Sequence, residues 1–262
     1  MPDFINVCDH ADVRLISLNR PQVLNAWHAP MREELLSALL AFGEDESLRA
    51  LVVTGSGARA FCAGQDLNEA TNFDADQAEK WIGEFEALFD GIRSLTKPTV
   101  AALNGVAAGS AFQAVLLMDM RIGHPGVRMG QPEINSGIAS VTGPWIMRET
   151  LGTAQTTDLT LTGRLIDAAE ALRIGALHRI VPEDEVLPAA LALAAELGAK
   201  PQEAMRIDKE WLKEMTEPGF RAAFAAARRL HRQSYAAGEP QRMTARFLAE
   251  RGHRKPTRDD IA

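Results

Sequence analysis

The chain has 262 residues, 46% of them hydrophobic and 24% charged, which are the proportions of a globular protein with material for a sizeable core. Its formal net charge of −7 argues against a general nucleic-acid partner, and no apolar run approaches the roughly 18 residues that a membrane-spanning helix requires. Two cysteines, Cys8 and Cys62, and an opening stretch with neither a basic nor an apolar signal region suit a reduced, soluble, cytoplasmic protein.

In chain order, "FINVCDH" and "VRLISLN" predict two strands separated by turn residues, and "HAPMREELLSALLAF" predicts a helix because Met31, Leu35, Leu39 and Phe42 recur on one face. The next strand is "ALVVTG", a short β-branched run of the fully buried kind. The amphipathic stretch "DADQAEKWIGEFEALFDGI", the strand "TVAALNG" and the helix "AFQAVLLMD" follow. Strands alternating with helices imply crossovers and a mainly parallel sheet. Beyond residue 143 the pattern is almost entirely helical, through "PWIMRETLG", "TAQTTDLTLTG", "DAAEALRIG", "LPAALALAAELGA", "PQEAMRIDKEWLKEM" and "FRAAFAAARRLHRQSYA".

The six histidines, His10, His28, His124, His178, His231 and His253, are scattered without metal-ligand spacing, so no metal is expected. Basic residues thicken in "ARRLHRQ" and "RGHRKPTR". These read as solvated helix faces or as groups that meet ligand phosphates.

Two junctions share a design. "ALVVTGSGARAFCAGQDL" and "TVAALNGVAAGSAFQ" each run from an apolar strand through a glycine turn to Ala-Gly and then a polar residue. In a parallel sheet, ligands bind at the carboxyl ends of strands. Residues this small let something approach the main chain closely, either a packed helix or a substrate oxygen received by backbone N–H groups.

The sequence resembles the enoyl-CoA hydratase/isomerase, or crotonase, family over most of its length. The resemblance rests on "LNRPQVLNA" at 18–26, "AFCAGQDL" at 60–67, "NGVAAGSAFQ" at 104–113, "GQPEINSGI" at 130–138, "LTGRLIDAAEALRIGALHRIVP" at 161–182 and "ARFLAERGHRKP" at 245–256. It implies an α/β fold, a crotonase-like spiral of repeated ββα units with a C-terminal helical layer. The core is expected over 1–200 and a helical oligomerisation region over 201–262. Trimers or paired trimers are implied, with Phe220, Phe224 and Phe247 as apolar groups for sharing between subunits. The implied substrate is an acyl-CoA thioester, with coenzyme A entering as part of the substrate and no separate cofactor.

The resemblance also assigns residues. The N–H groups of Gln65, after Ala63-Gly64, and of Ser110, after Gly109, would hold the thioester oxygen as enolate charge develops on it. Asp66, Leu67 and Asn68, with the stretch that holds Leu24, would line the coenzyme A arm. The family's hydratases carry glutamates at the places held here by Gln113 and Glu133. Glu133 is then the acid/base, its pKa raised beside an apolar chain, whereas Gln113 can only position water or substrate through its amide.

One carboxylate suffices to shuttle a proton between two carbons, and hydration is open if Gln113 with Ser110 or Ser140 holds the water. Ser140 either reaches the substrate or caps a turn. Ser110 lacks the G-x-S-x-G setting of a nucleophile, and Cys62 reads as buried filling. The expected activity is hydration or isomerisation of an enoyl-CoA. An inactive binding or assembly subunit is the alternative from another class, and thioester hydrolysis or carbon–carbon cleavage would reuse the same donors.

Overall fold

The computed structural model describes residues 4–253, the last three by backbone alone. The basic stretch "RGHRKPTR" and the end of "ARFLAERGHRKP" therefore lie outside the described side chains. The chain opens with an antiparallel hairpin of β1 (Ile5–His10) and β2 (Val13–Leu18), followed by α1 (Ala29–Glu44). Three turns of a spiral come next. The first holds β3 (Ala50–Gly55), β4 (Ala60–Cys62), α2 (Leu67–Ala70) and α3 (Ala75–Arg93). The second holds β5 (Thr99–Leu103), β6 (Val106–Ala108) and α4 (Ser110–Leu117), and the third β7 (Met120–Gly123), β8 (Arg128–Gly130) and α5 (Thr142–Thr162). The remaining elements are β9 (Leu165–Asp167), α6 (Ala168–Arg173), β10 (Arg179–Ile180), α7 (Val186–Gly198), α8 (Gln202–Ala236) and α9 (Glu239–His253).

The first strand of each turn enters a six-stranded sheet of order β1-β2-β3-β5-β7-β10, and the second enters a four-stranded sheet of order β4-β6-β8-β9. This is the expected spiral of ββα units. Within the large sheet all pairs beyond β1–β2 are parallel, and in the small sheet β4-β6-β8 is parallel. Both faces of β3 are covered, which explains why its run is apolar throughout. Leu51 and Val53 face the cluster built with α1 and α3, while Ala50 and Val52 face Val186, Ala190 and Leu193 of α7.

In α1, Met31, Leu35, Leu39 and Phe42 are all buried, as their spacing predicts. The start of α3 is fixed by a capping box between Asp74 and Gln77. Two expectations are corrected. The region after residue 143 is mainly helical, as expected, but it also holds two short strands that the pattern did not show, β9 paired with β8 and β10 with β7; strands of two or three residues are too short to show alternation. Phe220 and Phe224 are fully buried within the single chain, against Trp145 and Phe89 respectively, and so are not available to a second subunit.

Among the described residues no helix is long and apolar enough to cross a membrane. Two of the three arginines of "ARRLHRQ" are paired, Arg228 with Glu86 and Arg232 with Asp76 and Glu79, whereas His231 between them points inward and is buried.

Candidate active site

Three neighbouring parallel strands of the small sheet end at one place. β4 leads into Ala63-Gly64-Gln65, β6 into Gly109-Ser110, and β8 into Gln131-Pro132-Glu133. These strand ends open on a cavity of about 300 Å³. Of the residues singled out in the sequence, Leu24, Ala63, Gln65, Asp66, Leu67, Asn68, Gly109, Ser110, Gln113, Glu133 and Ser140 all line it. Gly64 lies behind the wall and does another job.

A Cβ on Gly64 would stand 2.6 Å from the Ala108 oxygen and 3.4 Å from the Ser110 nitrogen, so the bare residue lets the first Ala-Gly segment press onto the second. Its φ of +88° also favours glycine. Gly109 has φ +60° and ψ −129°, and a Cβ there would meet Glu133 Oε1 at 3.0 Å. The glycines thus close the gaps between segment and segment, and between segment and carboxyl.

The main chain of Gln65 is oriented by a parallel bridge to Trp27. Trp27 N–H donates to the Gly64 oxygen at 2.9 Å, and Asp66 N–H donates to the Trp27 oxygen at 3.1 Å. These bonds bracket Gln65 and leave its own N–H facing away from Trp27. Ser110 is the first residue of α4, where a backbone N–H has no intrahelical partner. Neither N–H has an acceptor among the described residues. Two such donors from adjacent strands can receive an oxygen on which negative charge develops.

Side chains fasten this corner. Gln65 Oε1 accepts from Arg32 and from the Trp81 indole, each at 2.9 Å, and its Nε2 donates to Glu69 at 2.6 Å. Arg32 is buried and paired with Glu69 and Glu84. Asp66 is tied to Arg20 at 3.0 Å and accepts from the Asn68 N–H, so its carboxylate caps α2, the short helix that carries Leu67 and Asn68. The Trp27 indole donates to Ser110 Oγ at 2.9 Å.

Two carboxyl groups line the cavity among the described residues, Asp66, which is paired with Arg20, and Glu133, which has no cationic partner there. Glu133 Oε1 accepts from the amides of Gln113 and Gln131, while Oε2 is shut off from solvent and has no partner among the described residues. Burial raises its pKa to about 7; the hydrogen bonds, including that from Gln113, pull the other way. The Thr142 hydroxyl donates to Gln113 Oε1 at 2.7 Å, which sets that amide with its N–H side toward Glu133. Ser140 accepts from Gln131 Nε2 at 2.8 Å. Such a carboxyl can take and return protons near neutral pH through Oε2.

The inner wall is aromatic, with Trp81, Phe85 and Phe89 of α3 at helical spacing and Phe224 and His231 of α8 opposite. Phe247 of α9 is half-buried at the same cavity. Cys62 donates to the Asn25 oxygen, and burial pushes its thiol up to about 12, so it is filling and not a nucleophile. Trp27, Gln131 and Thr142 escaped the sequence reading. "QPE" places Gln131 two residues before Glu133, but nothing local signals the long-range bonds of Trp27 or Thr142.

The profile of the family described as enoyl-CoA hydratase/isomerase matches residues 9–256. The chain is 33% identical over 240 residues to a probable enoyl-CoA hydratase, echA8, of Mycobacterium bovis, covering 91% of this chain and 92% of that one. It is 31% identical over 196 residues to a crotonyl-CoA hydratase of Syntrophomonas wolfei, covering 74% of this chain and 75% of the relative. Among solved structures, an enoyl-CoA hydratase/isomerase from Mycobacterium paratuberculosis superposes with a TM-score of 0.86 at 27% identity, over 94% of this chain and 99% of the other.

Proposed function

The chain belongs to the enoyl-CoA hydratase/isomerase family as an enzyme of that type, and from that premise we propose that it isomerises the double bond of an enoyl-CoA thioester with Glu133 as proton carrier. The thioester oxygen sits between the N–H groups of Gln65 and Ser110. Glu133 Oε2 removes a proton from the carbon next to the carbonyl of a 3-enoyl ester, and the electron pair spreads onto the held oxygen as an enolate. The same carboxyl then returns the proton to the γ-carbon, giving the conjugated 2-enoyl ester. Atoms and charge balance without a cofactor, and coenzyme A enters only as part of the substrate.

The observation that carries this reading is the single carboxyl oxygen, buried and unpaired, beside two unpaired N–H donors. Gln113 supplies no second base: its amide nitrogen is turned to Glu133 and its oxygen is engaged by Thr142. Hydration is the second reading. It is favoured by relatives named as hydratases and by the Ser140 hydroxyl at the cavity wall.

Incubation with 3-hexenoyl-CoA and with crotonyl-CoA separates the two readings. New conjugated-thioester absorbance without a mass change is expected for the first ester. Loss of conjugation with the mass of one water gained on the second would establish hydration instead, and inertness toward both would leave a binding subunit.

The reading includes a cytoplasmic location and assembly into trimers or paired trimers through the region from residue 201. The support for assembly is a face of α8 on which Ile207, Trp211 and Met215, one turn apart, are 50%, 57% and 52% exposed. A face of this kind is normally covered.

A further inference from the structure

We propose that Trp27 is a positioning residue that sets the spacing between the two oxyanion donors, acting through its indole bond to Ser110. This rests on the reading of the Gln65 and Ser110 N–H groups as the thioester-holding pair. Trp27 reaches both donor segments at once. Its main chain clasps the first, through hydrogen bonds at 2.9 and 3.1 Å that bracket Gln65. Its side chain holds the second, through the 2.9 Å bond from Nε1 to Ser110 Oγ at the first residue of α4.

Neither end of this link is loose. The indole is 1% exposed and packs on Phe85, with ring centroids 6.1 Å apart. Arg32, itself buried, donates to the Trp27 oxygen at 3.3 Å and to Gln65 Oε1 at 2.9 Å, so the Trp27 peptide and the Gln65 side chain are fastened to the same anchor. An indole N–H can only donate. Ser110 Oγ must therefore be the acceptor, a role that glycine or alanine at this position could not fill. The Ser110 hydroxyl hydrogen has no acceptor among the described residues, so this bond is what fixes Oγ.

The consequence is geometric. Oxyanion donors act when they lie about 2.7 to 3.1 Å from the position the oxygen reaches in the transition state, and a displacement of about 1 Å can cost about a hundredfold in rate. A tryptophan that merely filled the core would affect folding but not the polarisation of a bound carbonyl.

The test uses Trp27→Phe, Ser110→Ala and the double variant in the full chain, with butyryl-CoA isotope-labelled at the carbonyl carbon as probe. This saturated ester has no double bond to isomerise or hydrate. Isotope-edited infrared spectra report how far the bound carbonyl stretch is lowered, and turnover of 3-hexenoyl-CoA gives kcat.

Each single variant is expected to lose a similar part of the lowering and about ten- to a hundredfold in kcat, while the Kd of butyryl-CoA changes by less than about threefold. The double variant should be no worse than the poorer single one, because both remove the same bond. Wild-type lowering retained in either single variant, or losses that add in the double, would overturn the role of Trp27. If Trp27→Phe fails to fold, Ser110→Ala alone decides, since it removes the bond from the other side. A wild-type protein that binds butyryl-CoA without lowering the stretch overturns the oxyanion reading itself, an outcome distinct from failure of the Trp27 link.

Discussion

Glu133→Gln is expected to inactivate the enzyme and to stabilise it, with a pH dependence that identifies the cause. In the folded chain, burial raises the Glu133 pKa from 4.5 to about 7. Below about pH 4.5 the group is protonated both folded and unfolded, and burying it carries no ionisation cost. Between the two values the folded state binds more protons, so stability falls as pH rises, and above about pH 7 the full cost is present. At about 1.36 kcal/mol per pKa unit, that cost is about 3 kcal/mol. Glutamine keeps an oxygen to accept from Gln113 and Gln131 and places an uncharged nitrogen where Oε2 stands. Urea unfolding of both proteins at equal concentration, at about pH 5 and about pH 8, gives the two differences in stability. Any pH-independent effect of the substitution cancels between them. The variant should gain about 2 to 3 kcal/mol relative to wild type on going to the higher pH, while turnover falls at least about a hundredfold. A stability difference that is the same at both pH values would refute the buried, near-neutral carboxyl, and retained activity would refute its role as proton carrier.

The wild-type kcat/KM for a 3-enoyl ester should fall about tenfold per pH unit below about pH 7, since Glu133 must be ionised to accept the first proton; a profile flat down to about pH 5 would contradict this. Gln113→Glu places a second carboxylate beside Glu133 and should move that acid limb to higher pH while raising the ratio of crotonyl-CoA hydration to 3-hexenoyl-CoA isomerisation. No rise in the ratio, in a folded variant, would mean that Gln113 does not separate the two chemistries. Gly64→Ala combines a φ of +88° with a Cβ 2.6 Å from the Ala108 oxygen, so a loss of at least about 1 kcal/mol and of most turnover is expected; wild-type stability and rate would show that the two segments do not depend on this contact.

The long elements were legible because their periodicity spans several turns. Met31, Leu35, Leu39 and Phe42 could face one core in no other way, and the apolar run at 50–55 asked for cover on both sheet faces. What escaped was short or long-range. β9 and β10 have three and two residues, and they are strands only because β8 and β7 offer them an edge. The helical spacing of Phe220 and Phe224 showed that a face must be buried without showing what buries it. Trp145 and Phe89 of the same chain do so, and the exposed apolar face lies further up α8 at Trp211. The site followed the same rule. Most residues singled out in segments with a family resemblance line one cavity, whereas Trp27 and Thr142, which bond to positions 110 and 113, carry no local signature.

At the two Ala-Gly segments, close packing and substrate binding stood as alternatives in the sequence; the structure shows the packing, and under the proposed function that packing is a condition for the binding. Gly64 is absent from the cavity wall; its missing Cβ admits the Ala108 oxygen and brings the Ser110 nitrogen near. Gly109 lines the cavity, but its missing Cβ admits Glu133 Oε1. Without the first contact the two N–H groups would stand apart, and without the second the carboxyl would be held away from the carbon whose proton it is proposed to take. The residues with the least side chain set the distances between donor, donor and base, and oxyanion stabilisation is effective only when those distances are fixed before the substrate arrives.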